Sequence, residues 1–230
     1  MISIDLSGKT ILITGALGAI AEHMVRKLAM AGATLVLTDI KAEPEARRKL
    51  DDWQIPDSFY RYFAADITDS SQLNKLVDAA FEKFPGMDTV IGHAGGCGLH
   101  PFATTSESDY ERIFRFNYFA QTYLARAVLA RWTQSKIAGH LIFTSSYVAR
   151  MPHTQIPAYS SAKAALENFA RSLALEYALT ADRPALLKAQ RDWVLTHRNM
   201  EKNVELWERV LGGETVPPSS RAQELQDVSI

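Results

Sequence analysis

The chain has 230 residues, of which 47% are hydrophobic and 22% charged, a composition typical of a compact globular protein and unlike that of a disordered chain. The 25 basic and 26 acidic side chains nearly cancel, and the basic residues form no stripe, which excludes a protein that binds nucleic acid through its phosphates. The apolar runs are far shorter than the roughly 20 residues that a membrane span needs, so we expect no membrane association.

Short β-branched runs alternate with longer helical patterns along residues 1–180, and this alternation is the signature of βαβ units in a parallel sheet. The predicted strands are residues 10–14, 34–38, 59–64, 89–92 and 139–144. The predicted helices are residues 19–31, 43–52, 72–84 with Ser70 or Ser71 as N-cap, 106–130 and 158–179. We therefore predict an α/β fold, a Rossmann-type doubly wound parallel sheet in three layers (α/β/α).

Residues 181–230 differ from the rest of the chain because they show helical spacing and no strand pattern. Met200, Val204, Trp207 and Leu211 recur at helical intervals and predict an apolar stripe. We expect an atypical helical C-terminal segment, a lid or tail packed on the dinucleotide-binding domain of residues 1–180.

The single cysteine, Cys97, permits neither an internal disulfide nor a thiolate metal cage, and it fits a reducing compartment. Asp5 and Lys9 interrupt the only N-terminal stretch that could act as a signal peptide, so a cytoplasmic location is expected. The histidines show no zinc-ligand spacing, and we expect no metal site.

A glycine turn, containing Gly15 and Gly18, lies between the first strand and the first helix. Such a turn points free backbone N–H groups and the positive end of the helix dipole at one spot, where a pyrophosphate can bind. A tight turn without a ligand is the alternative for the glycines taken singly. Asp39 ends the second strand about 20 residues further on, where an acid accepts hydrogen bonds from an adenosine ribose. Its charge favours NAD over NADP, and a simple helix cap is the alternative.

Asp66 follows the third strand in a similar position. Its short carboxylate could bind an adenine amino group or cap the next turn, and the sequence leaves both interpretations open.

Tyr159 and Lys163 lie one helical turn apart and project from one face of the helix start. A phenol has a pKa near 10, which is too high for a base at neutral pH, and a nearby ammonium together with a nicotinamide cation would lower it. Ser146 ends the fifth strand, at the sheet edge where doubly wound proteins bind ligands, and could hold a substrate oxygen. Taken singly, each residue also fits packing or a turn.

Together these residues, with the loop His93-Ala94-Gly95 and Asn117, resemble the short-chain dehydrogenase/reductase family in order and spacing over residues 7–178. The resemblance implies a Rossmann-type domain that binds NAD. The cofactor-binding residues that it implies are Gly15, Leu17, Gly18, Ile20, Asp39, Asp66, Ile67, His93, Ala94, Gly95, Tyr159 and Lys163.

The resemblance also implies an oxidoreductase that transfers a hydride between nicotinamide and a small secondary alcohol or ketone. Tyr159 is then the acid/base, and Lys163 lowers the tyrosine pKa and holds the nicotinamide ribose. Ser146 polarises the substrate oxygen, and Asn117 helps to position a water in a proton relay. Family members associate through two helices that match residues 106–130 and 158–179, which implies a homodimer or homotetramer.

Three departures from the family pattern leave alternatives open. Ala19 and Ala21 stand where many members have glycine. His93 replaces the usual asparagine and is either a structural substitute or an added titratable group. The sixth and seventh strands have no visible counterpart after residue 179. An NAD-binding regulatory protein with an incomplete substrate side is therefore the alternative to an enzyme.

Overall fold

A computed structural model of the chain describes residues 5–99 and 101–180. The strands are β1 (Thr10–Thr14), β2 (Thr34–Asp39), β3 (Tyr60–Ala64), β4 (Thr89–Gly92) and β5 (His140–Phe143). The helices are α1 (Ala19–Met30), α2 (Glu43–Asp52), α3 (Ser70–Lys83), α4 (Glu107–Phe114), α5 (Ala120–Ser135) and α6 (Pro157–Thr180). Each predicted strand is present, and so is each helix predicted before residue 180 except that over residues 106–130, with small shifts at the ends.

The five strands form one parallel sheet in the order β3-β2-β1-β4-β5. The chain moves outward from β1 to β3 and then crosses back to pair β4 with the other side of β1. This reversal opens a crevice at the carboxyl ends of β1 and β4, which is where doubly wound sheets bind ligands. The glycine turn after β1 and the loop after β4 therefore lie side by side.

Helices cover both faces of the sheet, because successive side chains of a strand point to opposite faces. Leu12, Val36 and Val90 pack in the cluster that contains Leu73 of α3 and Leu124 of α5. The alternating neighbours Ile11, Ile13, Leu35 and Leu37 pack in a second cluster with Val25 of α1 and Leu50 of α2. The predicted three-layer α/β/α architecture is confirmed.

Two helix predictions were wrong in detail. The N-cap of α3 is Asp69, not Ser70 or Ser71. Its carboxylate accepts hydrogen bonds from the backbone N–H groups of Ser71 and Gln72. A negatively charged acceptor at this position also interacts favourably with the positive end of the helix dipole. The helix predicted over residues 106–130 is two helices, α4 and α5, joined by a π-helical turn over Arg115–Phe119.

Strand β5 forms the edge of the sheet among the described residues, and Ile142 is 49% exposed there. Residues up to Ser172 form one compact unit. The helical segment predicted over residues 181–230, and any sixth or seventh strand, lie outside the described residues. In the part of the chain that is described, every helix is too short or too polar to cross a bilayer.

Candidate functional site

An open cavity of about 390 Å³ lies at the carboxyl ends of the strands. Many of the predicted cofactor-binding residues line it. These are Gly15, Gly18, Asp39, Asp66, Ile67, His93, Ala94 and Gly95. The topology accounts for this convergence, because all of them follow the ends of β1, β2, β3 or β4.

Gly15 forms the tightest contact between two of these loops. Its φ is +63°, and a Cβ at this position would lie 2.7 Å from the Cα of Ala94, so only glycine fits. The Thr14 Oγ1 accepts hydrogen bonds of 3.1 Å from the N–H groups of both His93 and Ala94 and holds the two loops together. Gly18 is the N-cap of α1 and supplies no side-chain acceptor to the first turn of the helix. The start of α1 therefore keeps N–H groups for an anion.

Asp39 connects the glycine turn to the end of β2. Its Oδ2 accepts a hydrogen bond of 3.1 Å from the N–H of Leu17, and the residue lines the cavity. The carboxylate thus stiffens the turn and also presents a negative charge to a ligand. Lys41, two residues further on, is ion-paired with Glu45 at 3.0 Å.

Asp66 closes the next turn, which is one of the two roles that the sequence left open, and its binding of adenine stays a prediction. Its Oδ1 accepts hydrogen bonds from the N–H (2.8 Å) and the hydroxyl (2.7 Å) of Thr68, which closes a local turn. The residue also lines the cavity, and Ile67 next to it is buried there.

Leu17, Ile20, Tyr159 and Lys163 are not among the residues that line the cavity, and their part in cofactor binding stays a prediction. The side chain of Leu17 is buried in the cluster beneath the sheet, and its N–H is bonded to Asp39. Ile20 is 73% exposed in the first turn of α1. An apolar residue in a turn can be buried in the core or exposed to solvent, and the glycine motif alone does not indicate which.

His93 is half-buried at the end of β4, and its Nδ1 lies 2.9 Å from the hydroxyl of Thr144 at the end of β5. Burial lowers the pKa of His93, and the positive charge of Lys163 lowers it further, which favours the neutral imidazole. These contacts favour the structural interpretation of this substitution, in which the imidazole joins β4 to β5.

Asn117 lies in the π-helical turn and is fully buried. Its Oδ1 accepts from the N–H of Gly96 at 3.0 Å, and its Nδ2 donates to the carbonyls of Gly96 and Ile113. The amide therefore braces the loop after β4, and the predicted water relay stays a prediction. π-Helical turns are frequent at functional sites, and here the turn aims a buried amide at this loop.

Lys163 is only 3% exposed, and its ammonium donates a hydrogen bond of 2.8 Å to the Thr144 carbonyl. A Cβ on Gly95 would lie 3.2 Å from the Lys163 Nζ, so the ammonium lies directly behind this cavity-lining glycine. Burial lowers the pKa of Lys163 to about 8.

Tyr159 lies one turn before Lys163, with the Lys163 Nζ 5.7 Å from the centre of its ring. Burial raises the pKa of the Tyr159 phenol above 10, a hydrogen bond with Ser146 acts to lower it, and Cys97 acts to raise it. The predicted lowering of this pKa requires a bound nicotinamide cation as well as the ammonium, and it stays a prediction. The pKa of the phenol is raised here because the phenol and the ammonium share one buried region, where desolvation disfavours both charged forms.

Several residues that the sequence did not indicate also shape the site. Arg112, Arg115 and Phe116 line the cavity from α4 and the π-helical turn. Their spacing of three to four residues predicts one helix face, but nothing in it pointed to this cavity. Thr144 contacts both His93 and Lys163. Its position one residue beyond β5, where ligands gather, was an available signal.

The fold and this cleft define a Rossmann-type α/β protein of the doubly wound class. No group of three or more histidine, cysteine or acidic side chains among the described residues could hold a metal ion. The chain belongs to the short chain dehydrogenase family, whose family model matches residues 9–181.

Known proteins resemble the chain over the same region. A hydroxynaphthalene reductase-like protein of Metarhizium anisopliae is 31% identical over 173 residues, which are 75% of this chain and 64% of that protein. The 7alpha-hydroxysteroid dehydrogenase of Escherichia coli is 30% identical over 175 residues, 76% of this chain and 67% of the relative. The chain thus spans slightly less than two thirds of the first curated relatives that it matches.

Solved structures share the fold. A short-chain type dehydrogenase/reductase from Mycobacterium marinum has a TM-score of 0.71 and 23% sequence identity, with 76% of this chain and 71% of that chain covered. A short-chain dehydrogenase from Mycobacterium smegmatis has a TM-score of 0.69 over 76% of this chain and 75% of that one, at 23% identity.

Proposed function

We propose that the protein is an NAD(H)-dependent oxidoreductase that transfers a hydride between nicotinamide and a secondary alcohol or ketone, with Tyr159 as the acid/base. One observation carries the proposal: the buried ammonium of Lys163 lies behind Gly95, at the wall of the cavity that begins at Gly15 and Asp39. A dinucleotide site and a phenol–ammonium pair thus adjoin. Membership of the short chain dehydrogenase family supports the same chemistry.

The residues of the cavity fit a dinucleotide. Gly15 lets the turn after β1 pack against Ala94 of the loop after β4, and the uncapped start of α1 suits a pyrophosphate. Asp39 would bind the adenosine ribose hydroxyls, and Asp66 with Ile67 would hold the adenine. His93, Ala94 and Gly95 would contact the nicotinamide half.

In this mechanism the chain's own residues hold the substrate oxygen and move one proton. A bound nicotinamide cofactor supplies the hydride or accepts it, and in its oxidised form adds a positive charge near the phenol. Tyr159 takes the proton from the alcohol oxygen during oxidation and returns it during reduction. Ser146 donates a hydrogen bond to the same oxygen, and Lys163 favours the phenolate and binds ribose hydroxyls while Thr144 fixes its direction.

The substrate side favours apolar alcohols. Leu99 and Phe102 in the loop after β4, and Tyr147 and Met151 after β5, are large apolar side chains that are mostly exposed. Exposed apolar groups that follow the carboxyl ends of neighbouring strands suit a hydrophobic ligand. The names of the two relatives, which refer to a hydroxynaphthalene and a hydroxysteroid, support the same class of substrate.

We also propose that the enzyme is cytoplasmic. Its free cysteine, Cys97, supports this location.

The direct test is to incubate the protein with NAD+ and a panel of aliphatic, aromatic and polycyclic secondary alcohols and to follow absorbance at 340 nm. Turnover with members of the panel is expected. Tight cofactor binding without turnover on any alcohol or ketone would instead support the regulatory NAD-binding protein.

The preference for NAD should depend on the charge of Asp39. We expect Asp39→Asn to shift the ratio of NADP to NAD affinity by about 10- to 100-fold toward NADP, because the carboxylate repels a 2′-phosphate whereas the amide keeps an acceptor for the Leu17 N–H. Calorimetric titration with both cofactors measures the ratio. Asp66→Asn, which removes another charge of the cavity, is the control and should leave the ratio nearly unchanged. Equal affinities of the wild-type protein for both cofactors would contradict the assignment.

We further propose that the protein self-associates through α5 and α6. Phe119 at the start of α5 is 42% exposed and stacks on Tyr123, and Tyr118 packs edge-on against Phe169 of α6. An aromatic surface of this kind suits a subunit interface. Light scattering should give a dimer or tetramer at micromolar concentration, and a monomer there would refute the proposal.

A further inference from the structure

Glu167 lies in α6 one turn beyond Lys163 and two turns beyond Tyr159. Its side chain is only 16% exposed, and three groups bind it. The Ser145 hydroxyl donates to Oε1 at 2.9 Å, the Arg150 Nε donates to Oε2 at 2.9 Å, and Arg171 binds Oε2 at 2.8 Å. Although burial acts to raise the pKa of Glu167, the hydrogen bonds from Arg150 and Ser145 hold it below its ordinary value.

Two of these partners flank the segment that carries Ser146. Ser145 directly precedes Ser146, and Arg150 directly follows the 3-10 turn Tyr147–Ala149, which Ser146 caps. One carboxylate therefore ties both ends of this short segment to the helix that bears the phenol and the ammonium. Four residues lie between its two anchor points, so there is little freedom left in the loop.

The backbone conformation makes the contact at Ser145 directional. Ser146 is extended, with φ −151° and ψ 152°, and consecutive side chains in extended backbone point to different sides. Fixing Ser145 on Glu167 therefore fixes the direction in which the Ser146 hydroxyl points. That hydroxyl accepts from the Val148 N–H at 3.5 Å, and its hydrogen bond with Tyr159 acts to lower the pKa of the phenol.

We propose that Glu167 is a positioning residue: by binding Ser145 and Arg150 it holds Ser146 in place beside Tyr159. We call the contacts of Glu167 with Ser145 and Arg150 the clamp. The inference rests on the proposed function, because Ser146 and Tyr159 are the groups that would handle the substrate oxygen. The three polar partners of Glu167 are not among the residues that line the cavity, and Glu167 acts through these partners.

The test combines hydrogen exchange, which needs no turnover, with kinetics. In Glu167→Ala, amides of residues 145–151 should exchange faster, and kcat should fall about 10- to 100-fold, the size expected for a misplacement of about 1 Å. The Kd for NADH should stay within about twofold, because the glycine turn and Asp39 are remote from the clamp. Glu167→Gln keeps an acceptor for Ser145, so its exchange rates and its kcat should lie between those of wild type and Glu167→Ala.

Arg171→Ala is the matched control, because it removes only the ion pair within α6 and leaves Ser145 and Arg150 in place. It should change the exchange rates of residues 145–151 and kcat by less than about twofold. Unchanged exchange at residues 145–151 in Glu167→Ala, or in Glu167→Gln if the alanine variant does not fold, overturns the clamp. Faster exchange with unchanged kcat overturns the positioning role. A wild-type protein without turnover refutes the proposed function instead, and the exchange result still decides the clamp.

Discussion

Tyr159→Phe is expected to lower kcat by about 10²- to 10⁴-fold, the usual contribution of a general acid/base, because it removes the only group proposed to exchange the substrate proton. The phenylalanine ring still fills the space beside Lys163, so the Kd for NADH should change by less than about threefold. Stopped-flow or steady-state absorbance at 340 nm gives kcat, and fluorescence titration gives the Kd.

Tyr159 also sets the pH dependence of the reaction rates. Because burial raises the pKa of Tyr159, alcohol oxidation by the wild-type protein should increase with pH through the alkaline range, while ketone reduction, which needs the protonated phenol, should decrease. Tyr110→Phe is the control, since Tyr110 stacks on Phe114 outside the cavity and should retain wild-type kcat. Residual activity of Tyr159→Phe above about a tenth of wild type would show that another group moves the proton.

Lys163→Met should separate activity from stability. Turnover should fall at least as far as in Tyr159→Phe, because the ammonium orients the cofactor ribose and favours the phenolate. The free energy of unfolding should nevertheless rise by about 1–2 kcal/mol. A pKa lowered from 10.5 to about 8 means that charging this buried side chain costs about 3 kcal/mol in the folded protein, and the lost hydrogen bond to Thr144 offsets part of the gain.

The pH dependence of stability provides a second check on Lys163. Between pH 8 and 10.5 the unfolded chain binds this proton more tightly than the folded protein, so the wild-type free energy of unfolding should gain a contribution as pH rises through this interval. Urea unfolding at pH 7.5 and 9.5 measures it. Lys83→Met, at an exposed position of α3, should keep the wild-type dependence. A Lys163→Met variant less stable than wild type at both pH values would contradict a destabilising cost of burying this ammonium.

The fold was predictable from the sequence because each strand and helix carries its own local signal. The β-branched runs of β1 and β2 and the glycine turn after Gly15 indicate βαβ units without any tertiary information. The division between α4 and α5 was not predictable, since a π-helical turn keeps helical periodicity while it aims Asn117 inward. The Asp69 cap was missed because Ser70 and Ser71 are equally good capping residue types.

The candidate site was predictable only to the level of which loops meet. Strand order brings Gly15, Asp39 and Gly95 to one edge of the sheet, as motif spacing indicated. The contacts that tune the site join residues far apart in the chain, such as His93 with Thr144 and Ser145 with Glu167, and no local pattern encodes them. The burial that raises the pKa of Tyr159 in the protein without a cofactor was also not predictable, because residue spacing does not reveal desolvation.

In the proposed reaction a hydride passes directly between a secondary alcohol and nicotinamide at the cavity that Gly15, Asp39 and Gly95 line. The most direct measurement uses the best alcohol of the panel with deuterium at its carbinol carbon, followed by mass spectrometry of the cofactor. With the wild-type protein we expect reduced NAD that carries one deuterium from the alcohol. With Tyr159→Phe we expect no labelled cofactor above background. Reduced cofactor without deuterium, or equal labelling by both proteins, would contradict the proposed reaction.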